Sequence, residues 1–212
     1  MPVYRINGVN VLFIHIPKTA GVAVHEHLKD LGNAVLHERI TTPAGMFGPR
    51  HQPASVLTQI FLPEMIDYAF TVVRHPVARL VSEYRYQRRG SGLHLSRFRF
   101  LGFDAWLNYS LGRIARNPLW RVGHFRPQSD YPCFDSEVFK YEDGLEAVMQ
   151  GVSRATGVEV PFHTPERNVS THRAVRISQA SLDRIARAYA ADFDRFGYTI
   201  QPPPLRGVTL TD

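Results

Sequence analysis

Two short stretches of this chain carry residue types suited to gripping an anion. In His15-Ile16-Pro17-Lys18-Thr19-Ala20-Gly21-Val22, Lys18 supplies a mobile point charge, Thr19 a hydroxyl donor, and Gly21 allows close backbone approach. In Arg74-His75-Pro76-Val77-Ala78-Arg79-Leu80-Val81-Ser82-Glu83-Tyr84, Arg74 offers a planar fork that can hold a phosphate through two hydrogen bonds, and Ser82 a hydroxyl further along. Plainer readings stand beside these. Lys18 can be a solvated loop lysine, and Arg79 and Glu83 are spaced as an i,i+4 surface pair with Arg74 as a strand-end charge. The pair accounts less well for Arg74 and Ser82. The first loop follows the logic of a P-loop without its spelling, because Ile16-Pro17 precede Lys18 and Gly21 comes after it.

The flanking segments say how these residues are positioned. Val9-Asn10-Val11-Leu12-Phe13-Ile14-His15-Ile16 is β-branched and almost continuously apolar, as a central strand covered on both faces must be, and His15 packs within it. Pro17 to Gly21 break the run, and Val24, Leu28 and Leu31 then recur at helical spacing until Gly32. Tyr68 to Val73 reads as a second buried strand, followed by a helix opening at Pro76 with Val77, Leu80, Val81 and Tyr84 on one stripe; His75 stands where it can cap that helix. A third strand is expected at Glu137 to Tyr141, with a helix through Leu145, Val148 and Met149. A last helix is expected from about Gln179 to Phe193, with Ser178 as N-cap and Gly197 as stop. Strands alternating with helices predict an α/β fold with a mainly parallel sheet flanked by helices, and ligands in such folds sit beyond the carboxyl ends of strands. Both anion loops lie there.

The chain has 212 residues, 44% of them hydrophobic and 11% aromatic, which suits one domain over 1–212 with a substantial core and excludes a disordered or collagen-like chain. The net charge of +6 implies an anionic partner, and nucleic acid, acidic polysaccharide, a membrane surface and a multiply charged nucleotide all fit it. Cys133 stands alone, so no intramolecular disulfide forms and a reducing compartment is favoured. Met1 to Asn10 lacks the pattern of a secretory leader, and the Val9–Ile16 run is far short of the ~20 residues a membrane helix needs. The expectation is a cytoplasmic protein without a transmembrane segment.

Together the motifs resemble a known family. Phe13-Ile14-His15-Ile16-Pro17-Lys18-Thr19-Ala20-Gly21 is similar to the 5′-phosphosulfate loop of sulfotransferases that use 3′-phosphoadenosine-5′-phosphosulfate (PAPS). It is nearest the carbohydrate-type branch with the heparan 2-O and chondroitin enzymes and small bacterial relatives. Val73 to Tyr84 is similar to that family's 3′-phosphate signature. Pro127-Gln128-Ser129-Asp130-Tyr131, Lys140-Tyr141-Glu142-Asp143, Arg167-Asn168-Val169-Ser170 and Asp192 to Tyr198 resemble later blocks more weakly. The resemblance implies a P-loop-NTPase-like scaffold and a transfer of the sulfuryl group from PAPS to an acceptor hydroxyl, leaving 3′,5′-adenosine bisphosphate (PAP), with no required metal. It assigns Lys18, Thr19, Ala20, Gly21 and Val22 to the phosphosulfate, Arg74 and Ser82 to the 3′-phosphate, and Arg167 and Asn168 to closure over the nucleotide. Ala20 and Val22 depart from the family, whose members commonly have Gly and then Thr or Ser there.

Such a transfer needs a base for the acceptor proton and a cation for the leaving phosphate. Lys18 suits the second role, and histidine the first. Of the ten histidines, His25 and His27 are two apart on a helix and point in different directions. His37, His94, His124, His163 and His172 read as structural or surface residues. His51, in the turn-rich Gly48-Pro49-Arg50-His51-Gln52-Pro53 between the two anion loops, matches the place where relatives carry their base. Arg50 beside it can orient an acidic acceptor or be solvated. From Arg85 to Arg126 there are nine arginines and one acid, Asp104, interleaved with aromatics. This mostly helical insert can receive an anionic sugar polymer, or it can be a buried aromatic face with a solvated basic one. The acceptor is expected to be a carbohydrate, with an acidic one possible, and no nucleic-acid motif is present. Two other classes remain: a nucleotide or small-molecule kinase on a P-loop-like scaffold, which lacks its Gly-rich spelling here, and a basic binding module with a degenerate nucleotide loop.

Overall fold

Asn7-Gly8 reverses the chain between β1 (Val3–Ile6) and β2 (Val9–Ile14). Both turn residues hold positive φ, 48° and 84°, which matches the right-handed twist of the paired strands. The structure, a computed structural model, describes residues 2–38, 40–43, 45–89, 100–117, 120–162 and 174–212. It divides into two units, Met1–Val73 with Gln128–Pro165 and Arg74–Pro127 with Glu166–Asp212.

The first unit is built on a five-stranded sheet in the order β3-β1-β2-β6-β7. β2 pairs in parallel with β6 (Tyr68–Val73), and β6 in parallel with β7 (Glu137–Lys140). β1 runs antiparallel to both β2 and β3 (Asn33–Val35). The sheet is therefore mixed, where the apolar runs alone predict a mainly parallel one. The reason is local: β1 is four residues long and reaches its partner by a tight turn, not through a crossover helix. Val11, Phe13, Phe70 and Val72 project from one face and are fully buried with Val24 and Leu28 of α1 (Gly21–Leu28) and Val148, Met149 and Val152 of α5 (Glu146–Thr156). The alternate residues Leu12, Ile14 and Val73 are also fully buried, which is why β2 and β6 read as continuous apolar runs. Asn7 ties the hairpin turn to the end of α5 by donating to the Thr156 carbonyl at 2.9 Å. The same unit holds a hairpin of β4 (Ile40–Thr42) and β5 (Gly45–Phe47) and the short α2 (Ala54–Ile60).

The second unit packs α3 (Pro76–Arg89), α4 (Phe103–Arg116), α6 (Gln179–Ala188) and α7 (Ala190–Phe196) with a parallel pair of β8 (Val175–Ser178) and β9 (Val208–Thr211). Trp106 sits in its core among Tyr84, Phe103 and Phe125. Arg79 and Glu83 are not a surface pair, being 2% and 1% exposed. Arg79 donates to the carbonyls of Arg126 and His124, at 2.9 and 3.0 Å. Glu83 accepts from Gln87 at 2.7 Å and lies 2.9 Å from His124 Nδ1, while Gln87 in turn accepts from the Trp106 indole at 3.0 Å. The spacing of Arg79 and Glu83 placed them on one face, and that face turns inward with Leu80 and Tyr84. Helix α4 buries Phe103, Trp106 and Leu107 and exposes Arg113 and Arg116. The helix expected from Gln179 to Phe193 is two helices, broken at Tyr189 (φ −120°, ψ 26°), whose hydroxyl donates to the Phe125 carbonyl. Ser178 caps α6 by accepting from Ser181 N, and Gly197 ends α7 at φ 62°. Among the described residues no helix is long and apolar enough to cross a membrane.

Candidate active site

β2 ends at Ile14, so His15 is the first residue beyond the strand and the chain then runs into the Lys18 loop. Lys18 and Ala20 both adopt the left-handed conformation, at φ 70° and 73°, with Thr19 between them and α1 beginning at Gly21. Left-handed residues in such a turn direct neighbouring N–H groups into one concavity, which suits an anion. Ala20 is the N-cap and gives no side-chain hydrogen bond, and no acid stands in the first turn of α1. The N–H groups at that helix end are therefore not screened by a local carboxylate. The Thr19 hydroxyl is fully buried and donates to the Ile16 carbonyl at 2.9 Å. Its side chain shapes the loop from within. Val22 is 58% exposed on the first turn.

His15 explains why Gly21 has no side chain. A β-carbon placed there would lie 1.7 Å from His15 Nε2, so the imidazole occupies the space. The ring stacks on Phe13 and meets the edge of the His51 ring, centroids 4.5 Å apart. Burial pushes the His15 pKa well below 6.5, and the charges of His51 and Arg50 push the same way. His15 is thus neutral, and its buried Nδ1 makes no hydrogen bond to any described residue.

His51 Nδ1 lies 3.1 Å from the His15 carbonyl oxygen. A carbonyl can only accept, so Nδ1 of His51 carries a hydrogen. The backbone of His51 is left-handed, at φ 66°. Arg50, before it, donates from Nε to the His37 carbonyl at 2.6 Å, and its Nη2 is 2.8 Å from His37 Nε2. His37 stacks on His25, centroids 3.3 Å apart and planes at 10°, and His25 Nδ1 is 2.7 Å from the buried Tyr4 hydroxyl. His27 instead bonds the Ala23 carbonyl and stacks on Phe162, so the two α1 histidines do diverge.

The first unit thus brings Lys18 to Val22 onto the same short segment as His15, against whose ring and carbonyl His51 is set. Arg74 and Ser82 belong to the second unit, Arg74 directly after β6 in the chain and Ser82 in the second turn of α3, both half-buried. His75 caps α3: Val77 N donates to its Nδ1 at 3.2 Å, and its Nε2 lies 2.9 Å from the Thr199 carbonyl. Arg167 and Asn168 lie outside the described residues. No group of three or more potential metal ligands occurs among the described residues. The packing of His15 against Gly21 and the Tyr4, His25, His37 and Arg50 cluster have no periodic signature in sequence. Only the pairing of a histidine with a loop glycine hints at the first.

These features define an α/β protein with a left-handed loop between a buried strand and a helix N-terminus, and the His15 and His51 rings in contact beside it. A model of the Sulfotransferase family matches residues 6–199, and the chain belongs to that family. It is accordingly a transferase of sulfuryl groups. Among curated proteins none matches the chain in sequence.

Proposed function

We propose that the chain moves the sulfuryl group of PAPS to a hydroxyl of a carbohydrate acceptor, with His51 as general base. The observation that carries this reading is the contact of His51 Nδ1, at 3.1 Å, to the carbonyl of His15, three residues before Lys18. The acceptor oxygen attacks sulfur as its proton passes to Nε2, the bond from sulfur to the bridging phosphate oxygen breaks, and Lys18 stabilises the charge released on PAP. Lys18, Thr19, Ala20, Gly21 and Val22 hold the phosphosulfate, Thr19 through the loop shape its hydroxyl maintains. The left-handed turn, the uncapped helix end and the absence of a first-turn acid fit such a dianionic group. Arg74 and Ser82 hold the 3′-phosphate, and Arg167 and Asn168 close over the nucleotide. In this reading 1–212 acts as one sulfotransferase domain, in the cytoplasm, without metal, on an acceptor that can itself be acidic.

Calorimetric titration with PAP, AMP and ATP tests the donor. PAP is expected to bind far more tightly than AMP, with roughly 10- to 100-fold of that preference lost in Arg74→Ala, the worth of charge-assisted hydrogen bonds. His51→Ala is expected to lower kcat about 10²- to 10⁴-fold while PAP affinity stays within twofold. Equal binding of PAP and AMP, or Mg²⁺-dependent ATP turnover, overturns the assignment.

A further inference from the structure

A non-glycine residue at φ 66° is strained, and such a conformation lasts only where neighbours hold it. The His15 carbonyl meets the ring of His51 at Nδ1. The residue before it, Arg50, is anchored from the other side. Arg50 is gripped at two nitrogens by one partner, Nε on the His37 carbonyl and Nη2 on His37 Nε2. Guanidinium nitrogens only donate, so His37 Nε2 must accept, and the imidazole is neutral with its proton on Nδ1. Burial, with the charges of His25 and Arg50, pulls the His37 pKa down to about 4, in keeping with that state. The ring of His37 is in turn clamped flat on His25 of α1, which Tyr4 of β1 fixes from behind. Glu38, 83% exposed and 3.5 Å from Arg50, adds little.

We propose that Arg50 and His37 are positioning residues for the transfer: together they latch the His51 loop to α1 and β1 and so keep the base in its Nδ1–H form beside the Lys18 loop. This rests on the reading of His51 as the base. The latch touches no substrate in this account, so it separates turnover from nucleotide binding.

The test uses Arg50→Lys, which keeps the charge but cannot bridge both acceptor atoms of His37, together with His37→Ala and His37→Gln, whose amide oxygen can stand in for Nε2. Expected for Arg50→Lys and His37→Ala are a fall in kcat of roughly 10- to 100-fold, the effect of a small misplacement of a reacting group, and KM for PAPS and Kd for PAP within about twofold of wild type. His37→Gln should recover most of the loss. Long-range ¹H–¹⁵N spectra should show His51 as one Nδ1–H tautomer in the wild type and as a mixture in the first two variants. Unchanged kcat in a folded Arg50→Lys, PAP affinity falling in step with kcat, or an unaltered His51 tautomer overturns the latch. If His37→Ala does not fold, Arg50→Lys decides alone. Wild-type turnover in His51→Ala would instead remove the base reading, and the tautomer spectra would still judge the latch.

Discussion

At Ala20 the backbone holds φ 73° and ψ 16°, where an L side chain costs about 1–2 kcal/mol and glycine nothing. Ala20→Gly is therefore expected to stabilise the protein against urea by about 0.5–1 kcal/mol, the relief being partly offset by the greater freedom of glycine in the unfolded chain. One position on, the sign reverses. Gly21→Ala drives a methyl into the His15 ring and should cost about 1–3 kcal/mol while displacing the ring from His51. On the proposed reading the first turn of α1 meets the phosphosulfate, and Val22 is exposed there, so Val22→Thr should tighten PAP binding about tenfold in calorimetry. The residues of this loop are legible in sequence because they are contiguous. The supports of His51 are not, because His15, His37 and Arg50 meet through chain reversals that follow no fixed spacing.

Among the elements, the strands and helices that bear the loops follow from continuous apolar runs, and β6 and the cap of α6 fall where hydrophobic pattern and Ser178 place them. The mixed sheet was also spelled, by Asn7-Gly8 between two short β-branched segments, but β1 is too short for its period to stand out. Helix α3 shows the opposite limit. Its polar residues at i,i+4 look like a solvated stripe, yet Glu83 is the hub of a buried chain joining Gln87, Trp106 and His124, with Arg121 3.8 Å away. Pattern says that such residues share a face and says nothing of which way it points. Glu83→Ala leaves buried donors without their acceptor and is expected to lower the unfolding free energy by about 2–4 kcal/mol, and Glu83→Gln, which keeps an acceptor oxygen, by less than half of that. Urea titrations of both variants decide it.

Across the molecule, the titrating groups of the first unit bend stability down at both ends of the pH scale. Burial, the leading cause for each, lowers the pKa values of His15, His25 and His37. Above pH 6.5 these rings are neutral folded or unfolded and contribute no pH dependence. As pH falls below 6.5 the unfolded chain takes up protons that the folded one refuses until far lower, about pH 4 for His37, so stability declines through that window. Each group adds at most about 1.4 kcal/mol per pH unit, less for the partly exposed His25 and His37. On the alkaline side, burial raises Cys133 from 9.0 to about 11, and it also raises Tyr4 and Tyr68, with Tyr68 further held by its hydrogen bond to Glu137. There the unfolded chain loses protons first, so stability falls again as pH climbs above 9. The expected profile of unfolding free energy is a dome with its plateau between about pH 6.5 and 9. His37→Gln supplies the control, because it deletes one titrating group and should flatten the acid limb between pH 4 and 6.5 while leaving the alkaline limb in place. An acid limb of equal slope in that variant would show that His37 is charged in the folded protein, and with that charge the hydrogen bond from Arg50 could not form.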